Sequence, residues 1–391
     1  MYLFLAIVLL SCAQFGSQIF MPALPAIAEH FNLDTSTAQL VVMIYFIGFG
    51  LSQLIYGPWS DIVGRRKVFL IGQQIYILGS VICVLAASEW LLAGGRLVQG
   101  VGAGAALIVS RTILSDHLTG NYRKSAMATL AIAASFISVV APFLGGFLTT
   151  QLGWMGLFVS LMVYLVITGF LGFVYLPKSG SVRRNEINNT VFRQYAMFLT
   201  DGRFILPAVF KWLPTTLYLT SATFLPFIIQ RQLELTPQQY GIAMTLPALG
   251  LIVGTSLAKA LHAHIGYPAQ ILIFMPLLFL AGLGFYFMPF SLVNVLISYC
   301  LFMICAGAFY THSLHLLIEP YSGQTGSVNA LCGAIDMLLF SSLAILINKF
   351  WVDDMASLGQ FYLVMSSILL VTGLLIFQRA KKQTLVEPQT A

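Results

Sequence analysis

Long apolar runs alternate with brief polar breaks along nearly the whole chain. The runs cover approximately 3 to 28, 37 to 56, 67 to 87, 90 to 113, 125 to 150 and 155 to 176, then approximately 204 to 229, 239 to 260, 268 to 289, 292 to 318, 326 to 348 and 358 to 378. A helix needs about 20 apolar residues to cross a bilayer, so this pattern predicts twelve transmembrane helices. One break is long. The polar, basic stretch from Lys178 to Arg203 spaces Val182, Ile187, Val191 and Phe192 as an interfacial helix would. It divides the chain into a six-helix bundle over 1–177, a cytoplasmic linker over 178–203, and a second six-helix bundle with a short cytoplasmic tail over 204–391. Ala103-Gly104-Ala105 followed by Asp116 recurs as Ala306-Gly307-Ala308 followed by Glu319, at one offset of 203 residues. The expected fold class is therefore an all-α polytopic membrane protein built from two pseudo-symmetric six-helix bundles.

Composition agrees. Of 391 residues 59% are hydrophobic and 8% charged, with mean hydropathy +0.89, whereas soluble domains carry roughly 25% charged residues. The net charge of +6 sits in short clusters between apolar runs instead of on one face of a soluble domain, which argues against a nucleic-acid partner. Threading twelve spans places fourteen of the nineteen cations on one side, leaves Arg231 and Lys349 on the other, and puts Arg96, Arg111 and Lys211 inside spans. By the positive-inside rule the crowded side is cytoplasmic, and so are both termini. All five cysteines (Cys12, Cys83, Cys300, Cys305, Cys332) fall within spans, with neither a disulfide framework nor metal-ligand spacing. Leu9-Leu10-Ser11-Cys12 loosely resembles a lipoprotein cleavage site, but no basic region precedes it and the apolar run continues past Phe20. It reads as part of a first helix. No HExxH, GxSxG or GxxxxGKS pattern occurs, so neither an enzyme nor a cofactor is expected.

The most specific polar stretch is Gly57-Pro58-Trp59-Ser60-Asp61-Ile62-Val63-Gly64-Arg65-Arg66-Lys67, which reads as a tight, wet, charged hinge between the second and third runs. It matches G-x-x-x-D-x-x-G-R-R/K-x and closely resembles the corresponding loop of the major facilitator superfamily. The resemblance implies that Gly57, Asp61, Gly64, Arg65 and Arg66 form a conformational latch, with the acid near a helix N-terminus of the other half. The residues alone also fit a tight turn whose cations set topology. In the fourth span, Arg96-Leu97-Val98-Gln99-Gly100 resembles the R-x-x-Q-G signature of the same superfamily. A cation at membrane depth costs at least ~2.5 kcal/mol and must face protein or water. By resemblance Arg96 assists proton transfer; it could equally tie neighbouring helices through their carbonyls. Pro142, Gly145 and Gly146 of Ala141-Pro142-Phe143-Leu144-Gly145-Gly146 look like a variant of the superfamily's antiporter motif, although a generic proline bend fits too.

Gln18-Ile19-Phe20-Met21-Pro22-Ala23-Leu24-Pro25 is similar to the D-x-Y-L-P-A-L-P segment of the Bcr/CflA group of drug:proton antiporters. Gln18 stands where most of that group have Asp, as in the multidrug resistance protein D type, and glutamine cannot titrate. Asp336 is then the first candidate for proton coupling, because a carboxylate in mid-membrane is a functional residue by default; a hydrogen-bonded structural acid is the alternative. His312, His315 and Glu319 form a second set, with His315 and Glu319 one helical turn apart, or else are ordinary interfacial residues. Lys211 could attract an anionic substrate group or snorkel to the cytoplasmic surface. Gln14, Gln18, Tyr45, Tyr218, Phe224 and Phe227 are candidate cavity residues of mixed aromatic and amide character. The expected function is proton-coupled export of lipophilic or amphipathic drugs across a bacterial inner membrane. The alternative is a dedicated exporter of one metabolite, such as an anionic siderophore. Expected partners are small-molecule substrates, protons and the lipid bilayer, and the chain is expected to act as a monomer.

Overall fold

The computed structural model describes residues 1–178, 190–262, 264–321 and 325–386, and every regular element among them is helical. Inside hydrocarbon the backbone must satisfy its own polar groups, which a helix does within one segment. Among the described residues eleven helical stretches are long and apolar enough to cross a membrane. The longest, Gly120–Tyr175, breaks at Gly153 (φ 69°, ψ 174°) into spans five and six, so the predicted twelve crossings are present. Spans two, three and four are Thr35–Val63, Arg65–Val84 and Glu89–His117. After the connector helix Thr190–Thr200 come span seven (Gly202–Gln232), eight (Pro237–His262), nine (Tyr267–Phe287) and ten (Leu292–Ile318). Span twelve is Met355–Val386. The first part of the linker, 179–189, lies outside the described residues.

Three elements differ from the apolar pattern. Span one is not a single rod: Tyr2–Gln18 gives way to a 3-10 turn at Met21–Ala23 before Leu24–His30, because Pro22 and Pro25 each remove a backbone donor. Span eleven is divided into Thr325–Ile335, a π turn at Asp336–Phe340, and Ser341–Phe350. The charged hinge is a correction to the sequence reading. Gly57 to Val63, Pro58 included, continue span two, and span three starts at Arg65, so the hinge is the single residue Gly64 (φ 95°). Polar side chains at the membrane surface do not end a helix; a positive φ does, and glycine adopts it without penalty.

Five spans begin on a side-chain cap at the end remote from the cation clusters. Asp34 accepts from Thr37 N at 3.4 Å, Ser88 from Leu91 N at 3.3 Å, Thr236 from Gln239 N at 3.2 Å, Ser291 from Asn294 N at 3.2 Å, and Asp354 from Ser357 N at 2.7 Å. Each satisfies a backbone donor that the first turn leaves open. These hydrogen bonds hold both carboxyls below the ordinary carboxylate range, chiefly from Ser36 for Asp34 and from the Ser357 backbone for Asp354.

The chain packs as two compact units. The first joins spans one to six to Ala222–Thr245 and Ala330–Ile345; the second holds Phe192–Ser221, Leu246–Asn329 and Leu346–Ala391. In the first, Tyr164 bonds Ser11, Cys12 Sγ donates to Thr168 Oγ1 at 3.2 Å, and Gln73 Nε2 donates to the Leu165 carbonyl at 2.7 Å. Such bonds tie spans one, three and six where water is absent. The internal repeat is also visible in the packing. A Cβ at Gly104 would lie 1.9 Å from Ser52 Oγ of span two, and one at Gly307 would lie 2.3 Å from the Leu251 carbonyl of span eight. Span four crosses span two, and span ten crosses span eight, at the same repeated glycine.

Candidate functional site

The hinge residues form a charged cluster at the ends of spans two, three and four. Arg65 Nη2 lies 2.5 Å from Asp61 Oδ1 across the break, and its Nε donates to Asp116 Oδ2 at 2.9 Å. Nη1 of the same guanidinium bonds Ser60. The planar fork of arginine allows this, since its N–H groups leave in fixed directions and can serve two carboxylates at once. Arg66 caps span six instead, donating to the Phe173 carbonyl with its guanidinium 4.9 Å from that ring. A Cβ added at Gly57 would meet nothing within 4 Å, so no close approach requires glycine there.

Arg96 is fully buried in span four. Nη1 donates to the Gly16 carbonyl at 3.1 Å and to Gln99 Oε1 at 2.9 Å, and Gln99 Nε2 donates to Ser80 Oγ at 2.8 Å. Its charge lies between two aromatic faces, 4.6 Å from the centre of Phe20 and 4.3 Å from that of Tyr45. Each face offsets part of the burial cost, about 0.5 to 2 kcal/mol. Among the described residues no carboxylate pairs with Arg96. Tyr45 is itself fully buried and donates to the Ala13 carbonyl at 3.2 Å, so it walls in the arginine.

On span one, Gln18 Nε2 donates to Gln14 Oε1 at 2.8 Å and to Ser138 Oγ of span five at 3.0 Å. Span five also carries the antiporter-like segment. Pro142 stands inside its helix, a Cβ at Gly145 would lie 1.9 Å from the Ile19 carbonyl, and one at Gly146 would lie 2.3 Å from the Pro237 carbonyl. The adjacent glycines therefore admit two different helices. Gln39 Nε2 donates to the Thr223 carbonyl at 3.1 Å and Gln230 Nε2 to the Pro22 carbonyl at 3.0 Å, neutral amide contacts that the apolar pattern gave no sign of.

Asp336 opens the π turn of span eleven and is 1% exposed. His312 is fully buried, its Nε2 3.0 Å from Gln270 Oε1. The Gln270 amide N–H donates to the Ile265 carbonyl at 2.9 Å, so its oxygen faces the ring and His312 Nε2 is the donor. His315 is exposed, its ring 5.6 Å from that of His262. The Glu319 side chain lies outside the described part of the structure. Lys211 and Tyr218 are half-buried, while Phe224 and Phe227 are buried, the latter with Arg231 5.1 Å from its ring.

One further cluster was not singled out in the sequence. Tyr321, just past span ten, donates to Asp201 Oδ2 at 2.5 Å, and its ring meets Phe198 of the connector helix edge-on at 5.1 Å. The tyrosine hydroxyl, aided by Arg203, brings the Asp201 carboxyl down to about 2. This holds the connector helix against the end of span ten within the second unit.

A model of the Major Facilitator Superfamily matches residues 6–344. The multidrug resistance protein MdtL of Salmonella heidelberg is 24% identical over 378 residues, covering 95% of this chain and 93% of that protein. An uncharacterized transporter of Rickettsia bellii is 25% identical over 371 residues, 89% of each. Among solved structures, a D-xylose-proton symporter superposes with a TM-score of 0.75 at 14% identity, covering 94% of this chain and 96% of its own. The nucleoside transporter NupG gives 0.74 at 14% identity over 96% and 99%. A family match over most of the length, on twelve crossings with a repeated helix crossing in each half, places this chain in the Major Facilitator Superfamily.

Proposed function

We propose that the chain exports lipophilic or amphipathic compounds across a bacterial inner membrane in exchange for protons. Two six-span halves, joined through the 178–203 connector, would alternate access to a shared site. The observation that carries this reading is Asp336. Of the thirteen acids, it alone stands in the middle of a span, whereas Glu29, Asp34, Asp61, Glu89 and Asp116 of the first half all stand near helix ends. Gln18 cannot titrate and Arg96 is enclosed by Phe20 and Tyr45, and Asp336, unlike His312, His315 and Glu319 toward the end of span ten, stands in the middle of its span, so the proton is assigned to it. The likeness to proteins named for multidrug resistance supports drugs as the cargo, and so does a chain with few fixed charges and many aromatics, which suits a permissive site.

The test is collapse of an imposed pH gradient in liposomes holding the purified protein. Several unrelated lipophilic cations are expected to discharge the gradient, and Asp336→Asn is expected to abolish the response while the protein remains monodisperse. Full proton-linked efflux by Asp336→Asn would remove the assignment. Discharge by a single anion, lost in Lys211→Gln, would favour a dedicated exporter of an anionic metabolite instead.

A further inference from the structure

The π turn that begins at Asp336 has no counterpart in the other described spans. A π turn takes in one residue more than the α-helical ladder allows, engages its carbonyls poorly, and persists only where something holds it. Here two groups do. The hydroxyls immediately downstream reach back, Ser341 to the Met337 carbonyl and Ser342 to the Leu338 carbonyl at 2.7 Å. From span two, Gly50 presses on the same turn: a Cβ there would lie 2.8 Å from Leu338 Cγ, 3.0 Å from Met337 Cβ and 3.1 Å from the Leu338 backbone nitrogen. Glycine is the one residue that fits this seat without moving the turn. Were the turn to relax to α-helix, Asp336 would rotate by about 100° relative to Ser341–Phe350, one residue's share of a 3.6-residue turn.

We propose that Gly50, Ser341 and Ser342 are positioning residues for Asp336, which hold the π turn and so fix the direction in which the carboxyl is presented. The inference rests on reading Asp336 as the proton carrier. The ionisable groups of span two, which seats the turn, are Tyr45, Tyr56 and Asp61, and span eleven adds Cys332 one turn before Asp336 and Lys349 at its far end.

The experiment measures proton-linked efflux against pH in liposomes for Gly50→Ala and for the double variant Ser341→Ala with Ser342→Ala. Both are expected to move the pH midpoint by about half a unit, some threefold in the proton equilibrium, with substrate affinity changed less than about twofold. In an Asp336→Asn background proton-linked efflux is expected to be absent with or without either substitution. If Gly50→Ala does not fold, the serine variant decides. Parental midpoints in the folded variants would overturn the positioning role while leaving the proton on Asp336. A parental profile for Asp336→Asn alone would overturn the assignment of the proton to that residue, and the positioning role with it.

Discussion

Arg65 is the side chain with most to lose, because one guanidinium serves two carboxylates, Asp61 and Asp116, on different helices. Lysine keeps the charge but not the fork. Arg65→Lys is therefore expected to lose one of the two contacts, about 1 kcal/mol for an exposed pair or about fivefold in rate, measured as slower efflux with unchanged substrate binding in detergent. An unchanged rate would remove the cluster from the transport cycle. The motif made Asp61 and Arg65 legible, but not Asp116, which is 51 residues downstream. Its one sign in the sequence was the internal repeat, where it recurs as Glu319. Arg96 was legible as a costly cation that must be enclosed, yet not its company. Aromatic rings such as Phe20 and Tyr45 abound in this chain, and nothing in their spacing marks the two that sandwich a charge.

Helices announced themselves by length, and their interruptions did not. Span ten falls where the apolar run put it, 292 to 318, as one uninterrupted helix. Span one hides a 3-10 turn inside an unbroken apolar run, and span eleven hides a π turn whose signals, a glycine on another helix and two serines, act only after packing. The caps were readable in principle, since Asp34, Ser88, Thr236, Ser291 and Asp354 each stand just before an apolar run. Attachment of the connector helix is also a tertiary matter, resting on the Tyr321 hydroxyl. Because the folded Asp201 carboxyl titrates near 2, below its unfolded value of about 3.9, its contribution is present in full above the unfolded value and lost as pH falls through about 2. Tyr321→Phe is expected to destabilise the protein by about 1 kcal/mol at neutral pH, after allowance for the exposure of Asp201. Thermal unfolding in detergent would register this as a lower midpoint than the parent, and identical curves would mean that the contact contributes nothing.

For the molecule as a whole, the number of crossings and the clustering of cations were plain from the amino-acid order, since both follow from the cost of putting charge or open backbone into hydrocarbon. Chemistry between distant segments was not, because it depends on which apolar surfaces meet. The two ends of the spans nonetheless differ in kind. Among the described residues the ion pairs, Arg65 with Asp61 and Asp116 and Arg203 with Asp201, all stand on the cation-rich side, whereas the opposite ends are held by hydroxyls, carboxylates on backbone N–H groups, and amides such as Gln39 and Gln230. Mobile ions weaken the first kind, with a screening length of about 8 Å at 0.15 M falling to about 3 Å at 1 M, and scarcely touch the second. A vesicle loaded with concentrated potassium chloride on one side only should thus behave differently according to which side is loaded, and ionic strength becomes a handle on one set of helix ends at a time.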